Sequence, residues 1–195
     1  ENLPPFVKNE YFTFGSFNNP AKMTESVINC WSNILKKVKG SKLIIKCANK
    51  KLRFDRIEKI FKQNGVLNSV TFHQSIDKLE DHLNLYREID VALDTFPYNG
   101  VTTSFEAIWM GVPVITMAGY NFNSRCGESI NKNLNMEKLI AKDEDDYVNK
   151  VVNLSNNHDE YIDLRKSIFI NAIESPLFNR KKFANNFFRL LKEIS

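Results

Sequence analysis

The residues best suited to chemistry in this chain lie in one loop and in the segment that follows it. Asp94-Thr95-Phe96-Pro97-Tyr98-Asn99-Gly100-Val101 follows a short apolar run and leads into Thr102 and Thr103. Amides at a helix start carry the positive end of the helix dipole. A Gly-containing loop that delivers two hydroxyls there is a natural cradle for phosphate. Glu106, one turn further on, could accept hydrogen bonds from both hydroxyls of a ribose. The same residues have a plainer reading, in which Thr103 with Glu106 is a capping box and Asn99-Gly100 is a turn. Spacing alone favours the plainer reading, yet it leaves the two successive threonines unexplained.

A second group is Phe17-Asn18-Asn19-Pro20-Ala21-Lys22, between a predicted strand and its helix. Lys22 would sit at the mouth of the same crevice, where a cation can neutralise a diphosphate and the charge building on a leaving nucleotide. Taken alone, it reads as an ordinary solvated lysine. His82 and Tyr86, four residues apart on one helix face, could pack against a base or a phosphate. His73 and His158 carry no assigned role.

The elements that must position these groups follow from apolar spacing. Strands are predicted at residues 11–17, 42–46, 70–73, 89–93 and 112–116. Helices are predicted over residues 24–38, 53–64, 77–87 and 103–110, the third opened by Asp77 with Glu80. Beyond Ser124 the pattern is mostly helical, including residues 145–154, 161–173 and 180–193. Short apolar strands alternating with helices imply an α/β fold: a Rossmann-like parallel sheet with helices on both faces. Ligands of such sheets bind outside the carboxyl ends of the strands. The loops of interest are therefore those at residues 18–23, 47–51, 74–78, 94–101 and 117–123.

Composition sets the limits. The 195 residues are 43% hydrophobic and 26% charged, with 7 Gly and 6 Pro, so disordered and fibrous classes are excluded. The net charge of +4 is spread widely. Its densest cluster, Lys46, Lys50, Lys51, Arg53 and Arg56, lacks interleaved aromatics and reads as solvated surface rather than a nucleic-acid face. Cys30, Cys47 and Cys126 form neither a disulfide framework nor a zinc site, which fits a reducing compartment and a cytoplasmic location. No run suits a membrane span or a signal peptide. Neither GxGxxG, GxxxxGK[ST], HExxH nor GxSxG occurs, and no metal-ligand spacing is present.

Several stretches together carry a resemblance. They are Phe14-Gly15-Ser16-Phe17-Asn18-Asn19-Pro20-Ala21-Lys22, Asp90 to Gly100, Thr102-Thr103, Glu106 to Val114, and Ser175-Pro176-Leu177-Phe178. In this order and spacing the chain resembles the donor-binding C-terminal region of O-GlcNAc transferase/SPINDLY-like glycosyltransferases, of bacterial type. The resemblance implies the C-terminal half of a GT-B enzyme, a single domain over residues 1–195. Residues 144–195 would pack on it or on an N-terminal domain outside these residues. It implies a nucleotide-sugar donor, UDP-linked, carrying GlcNAc or another hexose, with a protein side chain as acceptor and no metal. Lys22 matches the catalytic lysine at the donor diphosphate, and Asn19 a position at the donor. His82 matches a histidine at the nucleotide, Gly100, Thr102 and Thr103 the phosphate loop, and Glu106 an acidic ribose ligand. Val101 stands where animal enzymes carry a histidine, and Glu106 where they carry Asp. Two other functions stay open on the residues alone: a nucleotide-binding module without turnover, and a basic interaction domain that binds nucleic acid.

Overall fold

The computed structural model describes residues 3–46, 54–74, 76 and 78–194. Six strands form one sheet: β1 (Thr13–Ser16), β2 (Lys42–Lys46), β3 (Val70–His73), β4 (Val91–Leu93), β5 (Val114–Met117) and β6 (Ile140–Ala141). All neighbours run parallel, in the order β3-β2-β1-β4-β5-β6. The chain reverses direction across the sheet between β1 and β4. In a doubly wound sheet that is where a ligand crevice opens, outside the carboxyl ends of the two strands. The loops after β1 and β4 are the two that the sequence singles out.

The helices are α1 (Pro5–Asn9), α2 (Glu25–Lys37), α3 (Asp55–Gln63), α4 (Leu79–Leu85), α5 (Thr102–Trp109), α6 (Cys126–Asn133), α7 (Glu144–Asn156), α8 (His158–Glu174) and α9 (Arg180–Ile194). Each predicted helix is present to within a few residues. In α2, Thr24 caps the start by accepting from Val27 N–H at 3.3 Å. Val27, Ile28, Trp31, Ile34 and Leu35 then bury one face. Each such side chain contributes about 1.5–3 kcal/mol of burial free energy. The helix packs on α3 and α7, while α5 packs on α8.

Three elements escape the periodicity. The helix α1 is only five residues long. The eight residues of α6 show a weak apolar face, with Gly127 and Asn131 among those it buries. The two residues of β6 are defined only by pairing with Thr116 and Met117 of β5. The cap expected at Asp77 lies outside the described residues, and Lys78, which does occupy the N-cap of α4, makes no capping bond.

Asp90, fully buried, fastens the amino end of β4. Its carboxylate accepts from Phe6 N–H at 3.0 Å, Thr13 N–H at 2.8 Å and the Tyr161 hydroxyl at 3.2 Å. Burial pushes this carboxyl up, while those bonds and Arg165 hold it down. Tyr161→Phe removes a hydroxyl that also accepts from Arg165 Nη1 at 2.8 Å. The expected cost is about 1 kcal/mol, seen in thermal denaturation as a fall in Tm of about 2–4 °C.

Candidate functional site

The strand β4 ends at Leu93, and the next residue is Asp94, 2% exposed. Its Oδ1 accepts from Gly100 N–H at 2.6 Å, Thr95 N–H at 2.9 Å and Asn18 Nδ2 at 3.4 Å. Its Oδ2 accepts from the Thr116 hydroxyl at 2.7 Å. One carboxylate therefore folds the loop back onto its own strand and ties it to β5 and to the loop after β1. Asn99, fully buried, completes the loop. Its amide donates to Thr95 O at 3.0 Å and Met117 O at 3.4 Å, and its Oδ1 accepts from Gly127 N–H at 3.3 Å.

Two glycines make this packing possible. A Cβ on Gly100 would lie 2.6 Å from Thr103 Oγ1 and 2.8 Å from Asn18 Oδ1. A Cβ on Gly127 would strike Thr116 and sit 2.9 Å from Asp94 Oδ2. Gly100 is thus required for close approach. Its N–H, expected in the phosphate cradle, is committed to Asp94.

The cradle that remains is the start of α5. The capping box of Thr103 with Glu106 does not form, because the N-cap is Val101 and no side chain caps this helix. The Thr103 hydroxyl instead donates to Asn18 Oδ1 at 3.0 Å, and Thr102 is exposed. Uncapped amides at a helix start suit an anion. Lys22, from the 3-10 turn Pro20–Lys22, reaches across 77 positions of sequence to donate from Nζ to Asn99 O at 2.9 Å. The ammonium also lies 3.9 Å from the centroid of the half-exposed Tyr98 ring. Burial lowers the Lys22 pKa, against the raising effect of Asp94 and Cys126.

On the other side of α5, Glu106 Oε2 lies 2.9 Å from His82 Nε2 and accepts from the Tyr86 hydroxyl at 3.0 Å. Tyr86 is 1% exposed, stacks edge-on against Phe17 and also donates to Thr103 O at 3.1 Å. It is a prop beneath Glu106 rather than a surface for a base, which corrects the expectation that it faces a ligand alongside His82. Asn19 is exposed and accepts from Ala21 N–H at 3.0 Å, capping the 3-10 turn that carries Lys22. Lys46, read from sequence as solvated, is 6% exposed, with Nζ 2.6 Å from His82 Nδ1. Of the other basic residues in its cluster, Arg56 donates to Met23 O at 2.6 Å, and Lys50, Lys51 and Arg53 lie outside the described residues. The loop at 47–51 does too.

The structure thus gathers Lys22, Gly100, Thr102, Thr103, Glu106 and His82 around the start of α5. Asp94, Asn18 and Asn99 lay in the loops named from sequence but were given no role of their own, and Lys46 was read only as solvated surface. Asking which acceptor satisfies the amides of a loop with no cap would have pointed to Asp94.

Comparison with known proteins decides the family. Residues 6–187 match the model of glycosyl transferase family 41. The chain belongs to that family. The probable UDP-N-acetylglucosamine–peptide N-acetylglucosaminyltransferase SPINDLY of Solanum lycopersicum is 37% identical over 189 residues, covering 93% of this chain and 20% of that protein. A UDP-N-acetylglucosamine–peptide N-acetylglucosaminyltransferase of Caenorhabditis elegans is 28% identical, covering 96% of this chain and 16% of its own length. The chain therefore spans about a fifth of these curated relatives. Among solved structures, a Thermobaculum terrenum O-GlcNAc transferase mutant superposes with a TM-score of 0.83 at 24% identity, covering 94% of this chain and 36% of that one. WaaG, a glycosyltransferase involved in lipopolysaccharide biosynthesis, superposes at 0.71 with 14% identity over 93% of this chain and 49% of its own. These likenesses show the GT-B fold of this family 41 domain. The SPINDLY relatives are plant proteins, so the bacterial placement implied by the motifs is not carried. Among the described residues no helix is long and apolar enough to cross a membrane.

Burial pushes the Asp94 carboxyl up to about 6, against bonds from Gly100, Thr116 and Thr95 and the charge of Lys22. Its native state thus takes up a proton between about 6 and the ordinary carboxylate range, where the unfolded chain does not. The resulting contribution to stability is full below about pH 4 and lost as pH rises through 6. Tm measured for this chain and for Asp94→Asn should show the unsubstituted chain gaining on the variant from pH 7.5 down to 5. Asp94→Ala orphans several buried donors, and at pH 7.5 should lower Tm by about 6–12 °C, a cost of about 3 kcal/mol.

Proposed function

We propose that this domain holds the nucleotide-sugar donor of a protein glycosyltransferase. The parent enzyme would transfer a hexose, GlcNAc or another, from a UDP-linked donor to a protein side chain with inversion. The observation that carries the reading is the bond from Lys22 Nζ to Asn99 O, two residues before the N-cap of the uncapped helix α5, between loops that only the fold brings together. That places a cation beside aligned amides, the arrangement that stabilises charge appearing on a departing diphosphate. The names of the curated relatives supply the donor and acceptor class.

In this reading Lys22 and the α5 amides receive the phosphates, with the Thr102 and Thr103 hydroxyls at their edge. An ammonium has three donors, so Lys22 can keep its bond to Asn99 O and still reach a phosphate oxygen. Asn19 sets the turn that aims Lys22. Glu106 receives the ribose, and His82 lines the nucleoside end. Cations and helix amides perform the charge stabilisation, so no metal is assigned to the reaction. The acceptor-side base comes from a second domain. In support of such a domain, α9 has no buried residue and exposes Phe183, Phe187, Phe188 and Leu191, while α7 and α8 pack against the rest of this domain. We place the enzyme in the cytoplasm on its cysteine usage.

Titration calorimetry of this chain with UDP, GDP and their sugar conjugates tests the reading. One nucleotide should bind selectively, and Lys22→Ala and Glu106→Ala should each weaken it about tenfold or more, the loss expected of a charge-assisted hydrogen bond. Binding that neither substitution weakens would overturn the assignment of the site. Binding by the intact parent without any sugar transfer would make the domain a nucleotide-binding module instead.

A further inference from the structure

Lys46 closes β2, and His82 lies in α4, 36 positions later. Lys46 Nζ is 2.6 Å from His82 Nδ1. An ammonium donates and cannot accept, so Nδ1 is the acceptor and the ring proton of a neutral imidazole sits on Nε2. That nitrogen is 2.9 Å from Glu106 Oε2 and donates to it, as does the Tyr86 hydroxyl at 3.0 Å. Two donors thus converge on one carboxylate oxygen, and no described residue hydrogen-bonds the other. Glu106 is 21% exposed at its side chain, so Oε1 is accessible to a ligand.

We propose that Lys46 is a positioning residue for donor recognition: by fixing His82 as the Nε2–H tautomer, it locks Glu106 with one oxygen held by the protein and the other presented to a ribose diol. This rests on the donor-site reading above and adds to it the device that selects a ribonucleotide. With Lys46 gone, Glu106 alone holds the proton on Nε2, and a fraction of His82 can carry it on Nδ1. The bare Nε2 would then face the Glu106 carboxylate lone pair to lone pair, and Glu106 would turn away from its ribose-binding pose. A lysine that merely fills space would leave the tautomer and the sugar preference untouched.

The test compares UDP with 2′,3′-dideoxy-UDP, and GDP with 2′,3′-dideoxy-GDP, by calorimetry, alongside the ¹⁵N shifts of the His82 ring. The unsubstituted chain should prefer its ribonucleotide by about tenfold or more and show the Nε2–H tautomer. Lys46→Met should reduce that preference to within about threefold, chiefly by weakening the ribonucleotide, and mix the tautomers. Lys46→Arg, which retains a donor-only cation, should restore both. If Lys46→Met does not fold, the ring shifts of the unsubstituted chain carry the test alone, and a dominant Nδ1–H tautomer there would overturn the role of Lys46. Ribonucleotide preference and tautomer unchanged in Lys46→Met would overturn the role of Lys46 alone. Failure of the unsubstituted chain to bind any of the four nucleotides would overturn the donor-site reading, and with it the ribose function assigned to Lys46.

Discussion

A carboxylate removed from water must be surrounded by donors, and the donors around Asp94 come from three separate segments that border the crevice. Gly100 and Thr95 hold it from its own loop, Thr116 from β5 and Asn18 from the loop after β1. Tyr147 of α7 adds a bond to the backbone carbonyl of the same residue at 2.9 Å. The desolvation of this group opposes folding, as its raised pKa shows, and the converging donors offset that cost. The result is a loop whose shape is fixed before any ligand arrives. Preorganised dipoles of this kind need no rearrangement when charge develops on a leaving group.

Asp94 has a counterpart at the other end of the strand. Asp90 and Asp94 bracket the three residues of β4, one fastening α1, β1 and α8, the other shaping the crevice. Buried charges at both ends of so short a strand hold its register on β1, and so fix where α5 begins relative to Lys22. The close packing continues into α6, where Gly127 lies against Asp94 and Asn99. In the proposed reading, function depends on the placement of the start of α5, and much of the polar interior serves that placement.

The alternation of apolar strands with amphipathic helices was enough to read the parallel sheet and to narrow the site to the loops that follow strands, among which residue chemistry picked out those after β1 and β4. Lys22, Thr103 and Glu106 could be named as candidates for phosphate and ribose from their types and neighbours, but each alone read more plainly, and only several motifs taken together raised them above that. What could not be read was how the polar groups pair over long separations. The partners of Asp94 lie up to 76 positions away, and nothing local distinguishes that Asp from an ordinary loop residue. Lys46 looked solvated because it opens a run of charges, whereas its own position closes a buried strand. Thr103 looked like a cap because its spacing to Glu106 fits one. Asn18 and His82 captured those two side chains instead, a competition that local spacing does not encode. The strand β6 needed its partner to exist at all.

In the proposed site a nucleoside diphosphate sits with its phosphates over the start of α5, under Lys22, and its ribose on Glu106. A crystal structure of this chain grown with the nucleotide it binds tests that most directly. Phosphate oxygens should lie within hydrogen-bonding distance of Lys22 Nζ and of the α5 amides, with a ribose hydroxyl on Glu106 and the Asp94–Gly100 bond unchanged by the ligand. A nucleotide bound elsewhere on the sheet, or a loop at residues 94–101 that refolds around it, would rule this placement out.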